Sequence, residues 1–162
     1  MNMLRLVVAA FMAALIVGSS FASPSNDAIS RYLDKPTDKN AVRAIMSIGA
    51  SRDIQALSTV DLLLIRNQVV SGSAASLRLV FAMLPASDGG SLEDLMALVA
   101  TSIRPQPQVF LEEVVRAKLH ESTLEAILLM PGPEYVDRPQ AKNFEIAMRR
   151  RAIATVKRRD LL

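Results

Sequence analysis

A single histidine, His120, stands in the run His120-Glu-Ser-Thr-Leu-Glu125 and is the only imidazole in a chain of 162 residues. Any His-based metal site or Ser-His-Asp triad would have to be built around it. The run carries carboxylates at Glu121 and Glu125 but lacks the second histidine that a zinc-protease helix presents one turn on. The chain has no cysteine and so no thiolate nucleophile, no serine precedes a lysine by three residues, and no Gly-rich phosphate loop is present. Asp88-Gly89-Gly90-Ser91 has instead the composition of a turn leading into a helix. The adjacent acids Glu93/Asp94 and Glu112/Glu113 would project about 100° apart on a helix, so neither pair converges on one substrate atom. These residues predict no catalytic, cofactor-binding or metal-ligating set. The one enzymatic alternative is a hydrolase centred on His120 with Glu121 or Glu125. A charge partner for the C-terminal dipole of the preceding helix is the simpler role for the imidazole.

Residues suited to recognition lie nearer the C-terminus. Pro131-Gly-Pro-Glu-Tyr-Val-Asp-Arg-Pro139 is the longest stretch without helical character, and Tyr135 gives it an amphipathic anchor of the kind interfaces favour. In the segment after it, Phe144, Met148, Ala152 and Val156 recur every four residues and predict an apolar seam that docks on the body. Arg150, Arg151, Lys157 and Arg158 lie broadly opposite, a basic face for an acidic protein or anionic surface. Arg149 and Arg159 intrude on the apolar side, which argues against a membrane helix. Tyr135, Arg150, Arg151, Lys157 and Arg158 are therefore the candidate partner-binding residues.

These side chains must be positioned by helices. Pro36, Ser71-Gly72-Ser73, Pro85 with Gly89-Gly90, Pro105 with Pro107, and Pro131-Gly132-Pro133 divide the chain into Leu/Ala-rich segments of about a dozen residues, none with sustained alternation. Leu92, Leu95, Met96, Val99 and Ile103 share one helical stripe, while 73–84 is apolar nearly all round except for Arg78, as in a central helix. Three segments open with serine followed three residues later by an acid: Ser58/Asp61, Ser91/Asp94 and Ser122/Glu125, the capping-box spacing. These starts lie 33 and 31 residues apart, and another step of 33 back reaches Ser25. Second helices are expected near Ala41, Ala74, Pro107 and Pro139. A helix, a turn and a second helix in about 33 residues resembles the period of stacked α-hairpin repeats. The expected fold is all-α, a short α-solenoid or else a compact helical bundle. The final helix, about 140–160, has a polar outer face fit to end a stack.

The first residues supply an address. Leu6–Gly18 is an unbroken apolar run behind the charge of Arg5, and Ser20-Phe21-Ala22 puts small residues ahead of a cut between Ala22 and Ser23. That is the build of a cleavable signal peptide, too short in its apolar core for the ~20 residues of a span. Residues 23–162 are then a single domain with no further transmembrane span. An exported chain without cysteine has no disulfides to hold it, which fits bacterial periplasmic or secreted proteins better than animal ectodomains. Net charge is +3 with a sequence pI near 9.6, yet acids outnumber bases between Ser23 and Met148, so the basicity belongs to the tail. Export sets nucleic acid aside as a partner. The expectation is an exported, non-catalytic protein-binding or adaptor module acting through helix surfaces. An inhibitor or immunity protein against an exported toxic enzyme is the alternative.

Overall fold

The computed structural model describes residues 24–51, 54, 57–130, 132–135 and 137–156; the expected signal peptide, Lys157 and Arg158 lie outside the described residues. Among the described residues eight α-helices follow one another: α1 (Pro24–Asp34), α2 (Asp38–Ser51), α3 (Thr59–Val70), α4 (Ala74–Met83), α5 (Gly89–Ala100), α6 (Pro107–Ala117), α7 (Glu121–Leu129) and α8 (Pro139–Thr155). Single 3-10 turns, Leu84–Ala86 and Pro133–Tyr135, precede α5 and α8, and no strand occurs among the described residues. The all-α expectation holds. No described helix is long and apolar enough to cross a membrane.

Local chemistry explains where the helices start and stop. Ser58 caps α3 as its spacing predicts: the Asp61 N–H donates to Ser58 Oγ (3.2 Å) and the Ser58 N–H donates back to Asp61 Oδ2 (3.2 Å). Pro107 and Pro139 open α6 and α8, where the missing N–H costs nothing and the fixed φ suits the first turn. At the end of α3, Gly72 takes φ +92°; its N–H donates to the Val69 carbonyl and that of Ser73 to the Gln68 carbonyl, a Schellman closure that needs a left-handed residue. Lys118 closes α6 the same way at φ 51°, without glycine's freedom.

The other two expected caps are corrected. Gly89 and Gly90 already belong to α5, so Ser91 lies inside that helix rather than at its start. The start of α7 is likewise earlier, by two residues: His120 is the N-cap, and Ser122 falls in the first turn. In both cases the polar residue upstream took the cap position.

The helices pack in two rows. α1, α3, α5 and α7 contact one another in order, as do α2, α4, α6 and α8, and α4 also touches α3 and α5. The core lies between the rows. It contains Ile29 and Tyr32 of α1, Ile65 and Val69 of α3, Leu77, Val80 and Phe81 of α4, Leu95 and Val99 of α5, Phe110 of α6 and Ile127 of α7. Each such side chain contributes about 1.5–3 kcal/mol on burial. The Phe81 and Phe110 rings meet tilted at 6.2 Å between centroids, tying α4 to α6. Leu98 of α5 is buried as well, while in α7 Ile127 is buried and Leu129 exposed.

Polar groups inside the stack are paired. Tyr32 Oη donates to Gln68 Oε1 (2.7 Å) and lies 2.5 Å from Ser76 Oγ, joining α1, α3 and α4. Arg78, the one charge on the central helix, donates from Nε and Nη2 to both carboxylate oxygens of buried Glu113 on α6, at 3.0 and 2.8 Å. Arg116 adds a longer contact to the same carboxylate at 3.4 Å. The Arg78 guanidinium is held above its ordinary value, first by its hydrogen bond to Glu113, against the opposing effect of burial, with attraction to Glu113 and Asp38 adding. Among the described residues no buried side-chain nitrogen or oxygen lacks a partner.

Candidate binding groove

α3 and α5 lie side by side in one row, and their apolar side chains do not close the space between them. Three cavities line up along the pair. The first, about 90 Å³, is walled by Leu57, Leu62, Met83 and Leu95, with Asp94 at its rim. The second, about 210 Å³, has Leu62, Leu63, Ala97 and Leu98 as its walls and Gly132 at one side. The third, about 460 Å³, lies between Arg66 and Val70 of α3, Thr101, Arg104 and Pro105 after α5, Glu134 and Tyr135, and Glu145 and Arg149 of α8. Leu62 and Asp94 are shared by the first two cavities, Arg66 and Thr101 by the last two. The three form one groove that follows α3 from Leu57 to Val70, roughly 20 Å at 1.5 Å per residue. Its floor is apolar and open: Leu63 is 50% exposed and Val70 40%.

Charge is distributed unevenly along the groove. Asp94 lines the first two cavities, Arg66 the last two, and Arg104 and Arg149 the third. Glu145 is buried and doubly paired, accepting from Arg104 Nη1 at 2.8 Å and from Arg149 Nε at 3.1 Å. Arg149, itself 3% exposed, sends Nη1 to the carbonyls of Met130 (2.6 Å) and Leu128 (3.3 Å), satisfying the end of α7. The Glu134 carboxylate folds over buried Gly132, so closely that a Cβ there would collide with it. Arg66 is exposed and forms no ion pair with any described residue. Arg104 uses one terminal nitrogen on Glu145 and leaves its other donors facing the cleft, its side chain 47% exposed.

Of the residues expected from sequence, Tyr135 is half-buried and lines the third cavity. Arg150 and Arg151 are exposed on α8 and do not line it; Lys157 and Arg158 lie outside the described residues. The predicted docking seam of α8 is corrected. Phe144, its first residue, is 65% exposed, whereas Glu145 and Arg149, one position on, face the body. The unpaired carbonyls at the end of α7 and the charge of Arg104 turn α8 by one residue, because satisfying them outweighs burying one phenyl ring.

His120 is also placed differently from its expected role. Its exposed ring caps α7: Nδ1 accepts from the Ser122 N–H at 3.3 Å and lies 2.8 Å from the Ser122 hydroxyl. Glu121 and Glu125 are exposed, with no hydrogen bond or ion pair to the imidazole. Among the described residues no group of three or more His, Asp or Glu side chains could hold a metal ion.

Sequence reasoning missed Arg66, Arg104 and Leu63. The signal was faint: on α3, Leu62, Leu63, Leu64 and Ile65 are alike in type, and only packing separates buried Ile65 from exposed Leu63. Compared with family models, with curated proteins and with solved structures, the chain matches none.

Proposed function

We propose that the chain is an exported, non-catalytic protein-binding module: a short α-solenoid whose working surface is the groove between α3 and α5. The two rows of helices support the repeat architecture. α1/α2, α3/α4 and α7/α8 pack as consecutive pairs, and like-placed helices stack along each row, while α5 packs on α3, α4 and α7. The apolar run Leu6–Gly18 behind Arg5 and the absence of cysteine support export.

The observation that carries the binding role is the row of three joined cavities floored by half-exposed leucine and valine. A side chain such as Leu63 gains on burial only when something covers it, and stacked helices commonly present such a surface to an extended partner. At about 20 Å the groove matches some six residues of extended chain.

Affinity capture from the native extracytoplasmic extract tests this reading, with wild-type and Leu63→Asp proteins in parallel. One protein retained in stoichiometric amount by the wild type and lost with Leu63→Asp is expected. An empty capture, or equal retention by both proteins, would contradict it. The activity of the retained protein then separates an adaptor from an inhibitor.

A further inference from the structure

We infer that the occupant of the groove is an acidic segment of a partner protein, with an apolar side chain between Leu62, Leu63 and Leu98 and a carboxylate, two or three residues along, between Arg66 and Arg104. The inference rests on the binding role proposed above and adds the chemistry of what is bound. The carboxylates and guanidiniums of the third cavity do not cancel. Glu145 is consumed by Arg104 and Arg149, and Arg149 is spent on the carbonyls of Leu128 and Met130. Glu134 also lines the cleft, its carboxylate lying over Gly132, so three guanidiniums (Arg66, Arg104 and Arg149) stand against two carboxylates (Glu134 and Glu145). Arg66 and the remaining donors of Arg104 are left facing the cleft.

The cleft also sits where α3 and α5 end, at the negative poles of both helices. Backbone dipoles there repel an anion, so the two arginines must supply all of the attraction, and removing one has a large effect. The spacing follows from the helix. Leu63 and Arg66 are three residues apart on α3, and Val70 lies one turn further, so the apolar and charged parts of the groove are about 5–10 Å apart. Two or three residues of extended chain cover that distance. Arginine's planar fork suits a carboxylate, and Tyr135 and Pro105 give the neighbouring aliphatic atoms an apolar wall.

The test is selection of random peptides displayed on phage against the purified full chain, repeated with Arg66→Glu and with Leu63→Asp. Arg66 is exposed and unpaired, so the charge reversal leaves the fold intact, as circular dichroism will verify. The expected result is enrichment of peptides with an apolar residue followed two or three positions later by Asp or Glu. One such peptide, synthesised, should bind Arg66→Glu at least tenfold more weakly, bind more weakly as salt rises, and be lost with Leu63→Asp. Selection on Arg66→Glu should turn towards Lys or Arg. Peptides without an acid, or binding by Arg66→Glu within twofold of wild type, would overturn the acidic occupant while leaving the groove as a binding surface. Peptides that bind Leu63→Asp unchanged would overturn the groove itself. A wild-type selection with no enrichment would overturn this inference, and the capture experiment would still judge the binding role separately.

Discussion

Replacing Glu113 by glutamine removes one charge from the joint between α4 and α6 and alters almost no volume. The wild-type carboxylate is 2% exposed and receives two charge-assisted hydrogen bonds from Arg78, at 3.0 and 2.8 Å. Breaking a fully buried pair costs about 3–5 kcal/mol, because the surviving charge has nothing to face. Here the Arg78 side chain is 32% exposed, so its guanidinium regains part of its hydration and the amide still accepts one bond. We therefore expect a loss of about 2 kcal/mol, near the lower end of what one charge-assisted bond contributes plus partial desolvation. For a domain of this size that corresponds to roughly 7 °C in Tm. Urea and thermal denaturation followed by far-ultraviolet circular dichroism will measure it.

The raised value of Arg78 sets the sign of its pH dependence. A group raised on folding stabilises below its unfolded value and loses that contribution only as pH rises through the folded one, above the arginine range. Arg78 therefore adds no pH dependence to the difference at neutral or mildly acid pH. The double variant Arg78→Met with Glu113→Leu should recover to within about 1 kcal/mol of wild type, since apolar replacement of both partners is near neutral. A Glu113→Gln protein within about 0.5 kcal/mol of wild type would refute the reasoning, placing the pair among screened surface contacts.

Three further substitutions probe the ends of helices. Arg149→Met should cost about 2–3 kcal/mol in urea denaturation, because the Leu128 and Met130 carbonyls lose their donor and Glu145 keeps only Arg104. Lys118→Gly should stabilise by about 0.5–1 kcal/mol, since glycine adopts the left-handed φ of 51° without a Cβ penalty. His120→Asp should raise the Tm by a few degrees, because a carboxylate is a better N-cap than an imidazole nitrogen at 3.3 Å and favours the positive pole of α7, worth about 0.5–1 kcal/mol. Thermal melts will read the last two.

What could be read from the sequence was local. The Ser58/Asp61 box, the prolines that open α6 and α8, and the central character of the helix around Arg78 are all chemistry between close neighbours in the chain. Where two polar residues competed for one cap, spacing alone chose wrongly, as at Ser91 and Ser122. The orientation of α8 was beyond local reasoning, because it depends on carbonyls at the end of a different helix and on Arg104, some forty residues away. The groove is less legible still. Leu63, Arg66, Leu98, Arg104 and Tyr135 come from separate parts of the chain, and a surface leucine has the same letter as a core one. The ion pairs joining α4 to α6 and the segment after α5 to α8 were likewise unforeseen, since Glu113 reads only as one of two adjacent acids that do not converge on a substrate.

The most direct test of the account is amide hydrogen exchange on the chain alone and bound to the protein it captures. Protection on binding should fall on α3 and on the second half of α5 through Arg104, with Arg150 and Arg151 of α8 unchanged. Protection confined to α8, or spread evenly over the chain with none concentrated between α3 and α5, would contradict the groove as the working surface.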